Sequence, residues 1–522
     1  MDRRDFLTGR IHTRPPVTKG ADAARPAAAG LEPYVPSAAA PWDAVRAGHL
    51  LRRATFLPRW SDIAALTAMS PSEAVDLLMQ EPAAPPEPPS IADHVTESLE
   101  GLDVTYQNIV RSQWANDHGA LQRWYAEVMR TAGLSITEKM VGFYSDHFAT
   151  EFVADLEYVV APLLYRQNAL FRRAGLGSYE EMMKGLTLDG AMLVYLGGNL
   201  NIKGQPNENY AREMLELFTT GLGHYTEGDI KEAARILTGW KVSQYSDKAA
   251  PNGFFNPYFI PNDHDIGAKQ FLGSSFAARD VDTNTEFLVR RDEVEAMIAT
   301  IFEKRSAQIA AFMSRKLYHF FVYSRPSGAD ESVIAAMAQL MIENDFNIRP
   351  VLAALLKSAH FFDNANLGAQ IKTPAEFVVG LARQIAQPAD MVGPMNGMEM
   401  VLFDPPNVSG WPGYRDWVTT NTYPLRADLA ESVIAAMSDA QALVFVEQFP
   451  EYDDVHILMT NVAALLLPRA MSDGRRTALE GKLLQGAPDY EWATILESPA
   501  TAALRIKELL ATIVRLPDYQ LS

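Results

Sequence analysis

PNENYAREMLE, residues 206–216, sets the fold class. Wound at about 100° per residue, it puts Tyr210, Met214, Leu217 and Phe218 on one face. Glu208, Arg212 and Glu216 lie opposite at i, i+4 and i+8, and Asn209, Glu213 and Thr220 form the flank between. Asn207 suits an N-cap, so the spacing predicts a helix over 207–220. Its polar side has two readings. Glu208, Arg212 and Glu216 can be a ladder of ion pairs worth about 0.2–0.5 kcal/mol each, with Glu213 solvated. Alternatively both sides are buried and the carboxylates face a cleft.

The same helical spacing continues outward. Gln113–Thr131, Ser135–Thr150, Ala161–Ala174, Ser178–Lys184 and Leu188–Leu196 precede the block. Thr226–Thr238 follows it, with Asp229 placed for a capping box and Gly239 as a stop. Further helices are predicted at Thr285–Phe302, Ser306–Tyr323, Asp330–Glu343, Ile348–Lys357 and Pro374–Gln387. Upstream, Asp43–Thr55 ends in Arg52 and Arg53, where cations suit the helix dipole. Ser70 and Pro71 open another helix as N-cap and first residue. Glu81–Ser90 is too rich in proline for helix or central strand. Two stretches break the pattern. Residues 241–276, rich in aromatics, Asn, Pro and Gly, read as an irregular or β-hairpin insertion, and residues 393–424 as a Pro/Gly/Trp loop. The fold class is mainly α, a large multi-helix globular protein carrying those two interruptions. The expected organisation is a flexible leader over 1–40, a helical core over 41–430 and a C-terminal helical layer over 431–522.

Composition narrows the function. The 522 residues carry a net charge of −18, which repels phosphate backbones and disfavours nucleic acid, although a local basic cleft remains open. With no cysteine, disulfides, thiolate metal sites and cysteine nucleophiles are excluded, and any metal must be held by nitrogen or oxygen. No apolar run approaches the ~20 residues of a transmembrane helix. Met1–Leu7, MDRRDFL, places Arg3, Arg4, Phe6 and Leu7 as in a twin-arginine export signal, but the apolar segment of such a signal does not follow. Export would make the protein periplasmic or extracellular; otherwise it is cytoplasmic.

Four clusters could carry chemistry. His147 projects from the apolar stripe Met140–Phe143–Tyr144–Phe148, with Glu151 one turn on; the pair could ligate a metal, or His147 could be a core histidine bonded to backbone. Glu208, Arg212 and Glu213 are catalytic candidates, with Asn207 and Asn209 as binding residues. His264 and Asp265 in the insertion could be metal ligands or an acid–base pair, near Lys269 as a further catalytic candidate. Asn407-Val408-Ser409-Gly410-Trp411-Pro412-Gly413, with Trp417, could line a binding groove or plug two subdomains together.

Several stretches together resemble a large bacterial family called domain of unknown function 1800. They are HLLRRATF at 49–56, EKMVGFYSDHFAT at 138–150 and PNENYAREMLELFTTGLGHYTEGDIKEAARILTGW at 206–240. HDIGAKQFLG at 264–273, SRKLYHFFV at 314–322 and DPPNVSGWPG at 404–413 complete the set. The resemblance implies a helical bacterial protein and brings no activity. Members often look exported by the twin-arginine route and are often encoded beside a sulfatase-like exported protein, which makes such a protein the expected partner. Where the family tends to have Trp-His-Asn-His-Phe, this chain has Tyr144-Ser145-Asp146-His147-Phe148, so a metal ligand lost at the first His would be replaced by Asp146 or Glu151.

Three functional expectations follow. The first is an enzyme whose His147, Glu208, Glu213, His264 and Asp265 converge between helices, with Arg212 and Lys269 binding an anionic group. It would be a divalent-metal-dependent hydrolase or oxidoreductase, or would use metal-free acid–base chemistry. The second is a non-catalytic scaffold or chaperone, in which the same residues are dispersed and locally satisfied. Glycan binding through Trp411 and Trp417 is a third.

Overall fold

The computed structural model describes residues 30–82, 84–152, 159–279 and 286–522; the arginine pair of the leader lies outside them. The chain is mainly α. Helices α1 (Ala44–Ala54), α2 (Trp60–Thr67) and α3 (Pro71–Leu78) are followed by the long α4 (Val104–Thr131) and by α5 (Thr137–His147). Then come α6 (Ala161–Ala174), α7 (Tyr179–Thr187), α8 (Gly190–Tyr195), α9 (Glu208–Glu213) and α10 (Glu227–Ile236). Two small antiparallel hairpins occupy the expected insertion, β1 (Trp240–Val242) with β2 (Pro257–Phe259) and β3 (Lys269–Phe271) with β4 (Ser274–Phe276). Helices α11 (Glu286–Lys304), α12 (Ser306–Phe321), α13 (Ala329–Glu343), α14 (Ile348–Lys357), α15 (Pro374–Gln384) and α16 (Val392–Gly397) lead to the Pro/Gly/Trp loop. The chain closes through α17 (Thr422–Ala436), α18 (Asp439–Glu447), α19 (Val455–Leu466), α20 (Asp473–Leu484), α21 (Trp492–Leu496) and α22 (Pro499–Val514).

The caps read from sequence are present. Ser70 and Glu73 form a capping box with Pro71 at the first turn, and Thr226 and Asp229 form another. The block at 206–216 behaves differently. Asn207 caps α9, but the helix converts after Glu213 into a π-helix over Met214–Thr219, in which Thr220 N donates to Leu215 O. Glu213, at the junction of the two helical forms, is buried rather than solvated.

One hydrophobic core runs from Ala47 to Tyr519 and includes the C-terminal helices. Basic side chains stitch this core by capping helices other than their own. Arg52 donates to Ala464 O (2.6 Å) and Leu465 O (2.9 Å) at the end of α19, and Arg383 donates to Arg130 O (3.0 Å) and Ala132 O (2.8 Å) at the end of α4. Part of the stretch expected as a leader is fastened as well: Tyr34 N donates to Lys357 O at 2.8 Å, and Ala359 N to Glu32 O at 2.8 Å. Among the described residues no single helix is long and apolar enough to cross a membrane.

Candidate functional site

The chemistry-bearing segments separate into two neighbourhoods. The first surrounds a cavity of about 470 Å³ between α5, α12 and the loop that precedes α17. Rings join the two helices: Phe143 lies 5.4 Å from Phe320, and His147 lies 6.0 Å from Phe312. Its wall carries the aromatic rings of Phe56, Phe143, Phe320, Phe403, Trp411 and Tyr414. Set into it are five cationic side chains, Arg53, Lys139, Lys316, Arg325 and Arg415, against three carboxylates, Asp146, Glu376 and Asp416. In a chain of net charge −18 that is a local inversion of sign.

Lys139 and Glu376 neutralise one another in a buried ion pair, with the amine 5.3 Å over the Phe56 ring. At the exposed mouth, Arg325 and Arg415 approach the Tyr414 ring at 5.6 and 5.5 Å. Deeper lie Asp146, Lys316, His319 and His147. Burial raises the Asp146 carboxyl to about 6, against the opposing pull of the Trp411 N–H and Lys316. Burial pushes the Lys316 amine below its ordinary range, partly offset by Asp146. Burial, with Arg315 and Lys316, holds His319 at about 4, so its imidazole is neutral at pH 7, and Nε2 has no hydrogen-bond partner.

His147 reaches the cavity wall from the end of α5. Tyr179 spends its hydroxyl proton on Phe218 O, so the Tyr179 oxygen accepts from His147 Nε2 at 2.9 Å. That fixes the tautomer and leaves His147 Nδ1 with a lone pair and no partner. Burial, followed by the Lys316 charge, keeps the ring neutral. Of the tryptophans, Trp417 is buried beneath the loop and Trp411 lines the cavity with its indole N–H unpartnered. Asn407 shapes the loop, its carboxamide oxygen accepting Ser409 N at 2.9 Å.

The remaining expected residues sit in the second neighbourhood, around α9, α10 and the hairpins. His264 Nδ1 is 2.7 Å from Thr238 O, and Nε2 is 3.1 Å from Glu293. Lys269 holds the other Glu293 oxygen at 2.8 Å. All three are buried. Burial opposes the Glu293 charge, yet the hydrogen bonds from His264 and Lys269 bring its carboxyl down to about 2. Asp265 makes a two-pronged bond with Arg235, at 2.7 and 3.1 Å. Arg212 pairs with Glu227 at 2.7–2.9 Å and lies 3.7 Å from Glu208 on the surface. Asn207 and Asn209 fasten loop carbonyls, donating to Gly197 O (3.1 Å) and Leu196 O (3.2 Å). Glu213 is raised to about 7 by burial and then by Glu216.

Of the residues expected to converge, His147 lines the cavity, and His264, Asp265, Glu208 and Glu213 do not. Among the described residues no group of three or more His, Asp or Glu side chains is placed to hold a metal ion. His264, Lys269, Asp265 and Arg212 complete partners within their own neighbourhood, for which packing supplies a sufficient reason. Sequence reasoning passed over Arg53, Lys316, His319 and Arg325. Lys316 and His319 border the apolar face of α12, and that position between Phe312 and Phe320 was the available signal.

Four of the stretches that carry the family resemblance, around Arg53, Asp146, Lys316 and Trp411, meet at the cavity. No curated protein and no solved structure matches the chain significantly. The family described as "Protein of unknown function (DUF1800)" matches residues 49–521, and the chain belongs to it.

Proposed function

We propose that the protein is an enzyme that binds a small anionic organic molecule in the cavity between α5, α12 and the loop over 400–417. The observation that carries this reading is the sign of the cavity's side chains: five cationic against three acidic, with aromatic rings among them, in a strongly acidic chain. The volume suits a metabolite-sized ligand, since such pockets run about 300–1,000 Å³. Lys139 is already paired with Glu376, whereas Arg325 at the exposed mouth has no carboxylate paired to it among the described residues and can face a ligand anion. The interior supplies acid and base: Asp146, half-protonated near pH 6, and the neutral His319 imidazole.

The scaffold reading has less support. Most large apolar side chains on the surface are scattered, and Val104, Tyr106 and Ile109 at the start of α4 make a small group. Partnership with a sulfatase-like exported protein stays a proposal on the resemblance alone.

Thermal unfolding of the full chain against matched sets of small carboxylates, phosphates and amines tests the reading. At least one anion should stabilise it; a ligand at a hundredfold its Kd contributes about 2.7 kcal/mol. Stabilisation by amines with none by anions would overturn it.

A further inference from the structure

We infer that Lys316 forms an imine with a small aldehyde or ketone that carries an anionic group, Asp146 supplying the proton that leaves with water. This rests on the reading of the cavity as an anion-binding site and names its substrate class.

The placement of the amine carries the inference. Lys316 lines the cavity, and among the described residues it has no hydrogen-bond or ion-pair partner. It lies 5.5 Å over the Phe312 ring. The other lysine of the cavity, Lys139, is tied to Glu376, and the remaining cations are arginines, which stay protonated and cannot attack. Asp146 is the carboxylate whose charge Lys316 feels, and one of its oxygens is committed to the Trp411 N–H. The other has no hydrogen-bond partner among the described residues and is available for proton transfer. His319 stands three residues along α12, one turn away, with an unpartnered nitrogen. A lysine in an apolar pocket releases its proton more readily than one in water, which is the usual route to a nucleophilic amine.

The step balances. The neutral Lys316 amine forms a C–N bond to the carbonyl carbon, the C=O π pair moves to oxygen, and one of the two protons on the now cationic nitrogen passes to that oxygen, giving the neutral carbinolamine. The carbinolamine oxygen takes a further proton from the Asp146 carboxyl and leaves as water. The nitrogen pair forms C=N, and the nitrogen's remaining proton returns to the Asp146 carboxylate. Amine plus carbonyl gives imine plus water, with no oxidant or reductant. Arg325 and Arg415 would hold the anionic group at the mouth, which orients the carbonyl inward towards Lys316.

The test is reductive trapping. The full chain is treated with sodium cyanoborohydride and either pyruvate or glyoxylate, or hydroxyacetone as a neutral ketone, and the modified lysines are mapped by mass spectrometry. One equivalent should appear at Lys316, with the anionic probes about tenfold faster than the neutral one, as expected when a charged cleft concentrates its substrate. Lys316→Arg should abolish that adduct while retaining anion-dependent thermal stabilisation, because the cation is kept. Lys139→Arg should leave the adduct in place. Labelling spread over surface lysines with Lys316 spared, while anions still stabilise the wild type, would overturn the imine and leave the cavity reading standing. Absence of both adduct and anion stabilisation would overturn both.

Discussion

The Asp146 carboxylate at the end of α5 accepts the backbone N–H of Trp411 at 2.8 Å, and this bond fastens the loop over 404–413 to the cavity. Gly410 makes the approach feasible. Its φ is +84°, and a Cβ there would lie 2.4 Å from Asp146 Oδ1 and 2.5 Å from the Asp146 carbonyl oxygen. Both atoms are held by a helix end, so neither can yield cheaply.

Gly410→Ala should therefore destabilise the protein, by on the order of 3 kcal/mol from backbone strain and overlap together. It should also weaken anion binding, because the loop carries Trp411 and Tyr414 into the wall. Urea unfolding and a binding titration read the two effects. Asp146→Asn, which keeps an acceptor oxygen, should retain most of the stability. A Gly410→Ala protein as stable as wild type would show that the loop is not clamped here.

The second neighbourhood should respond as a packed polar core. Glu293 neutralises Lys269 and faces His264, and all three side chains are buried. Glu293→Ala leaves the Lys269 amine buried with its counter-charge removed, which costs on the order of 3–5 kcal/mol. A Lys269→Met/Glu293→Leu double variant should recover much of this loss, since it removes both charges at similar volume. Denaturation curves for the single and double variants decide the matter. A large loss in both would mean that the cluster does more than satisfy itself.

Glu213 gives a pH signature of unusual sign. Its carboxyl is held at about 7 against a reference of 4.5, by burial first and Glu216 second. Between those values the folded state binds more protons than the unfolded chain, so Glu213 lowers stability progressively as pH rises from about 4.5 to 7. Glu213→Gln should be more stable than wild type above pH 7, by on the order of 2 kcal/mol, and the difference should vanish below about pH 4. Paired urea titrations at the two ends of that range check both magnitude and sign.

How far the chain was legible follows from the range of its signals. Helix spacing and caps act within a few residues, so Ile348–Lys357 and the capping box at Thr226–Asp229 could be read directly. The π-helix could not, because Met214–Thr219 keeps the same apolar residues and its extra residue per turn is decided by tertiary packing. Arg52 stands in the last turn of its own helix, as its position suggested, but its guanidinium also caps α19, more than 400 positions away in the chain, which no local signal could show. The cavity was hidden for the same reason: Arg53, Asp146, Lys316 and Trp411 become neighbours only once four separate segments pack. Polar residues clustered in sequence, such as Glu208 and Arg212 or His264 and Asp265, can be picked out from the chain alone, whereas residues that cluster only in space cannot.

Arg212 and Arg325 provide the sharpest contrast between the two kinds of cluster. Arg212 sits on the surface and divides its charge between Glu227 and Glu208. Exposed pairs of this sort are worth about 0–1 kcal/mol, so Arg212→Ala should leave both stability and anion affinity close to wild type. Arg325 stands at the cavity mouth over Tyr414 with no carboxylate paired to it among the described residues. Its charge is therefore available to an incoming anion, and it is exposed enough to act on the approach as well as on the bound state. Arg325→Ala should weaken anion binding several-fold to about tenfold, mainly through a slower association rate, and added salt should shrink the difference from wild type. Stopped-flow binding at two ionic strengths measures each part. If Arg212→Ala lowers the association rate as much as Arg325→Ala does, the attraction belongs to the whole surface field rather than to the cavity, and the anion site has been placed in the wrong neighbourhood.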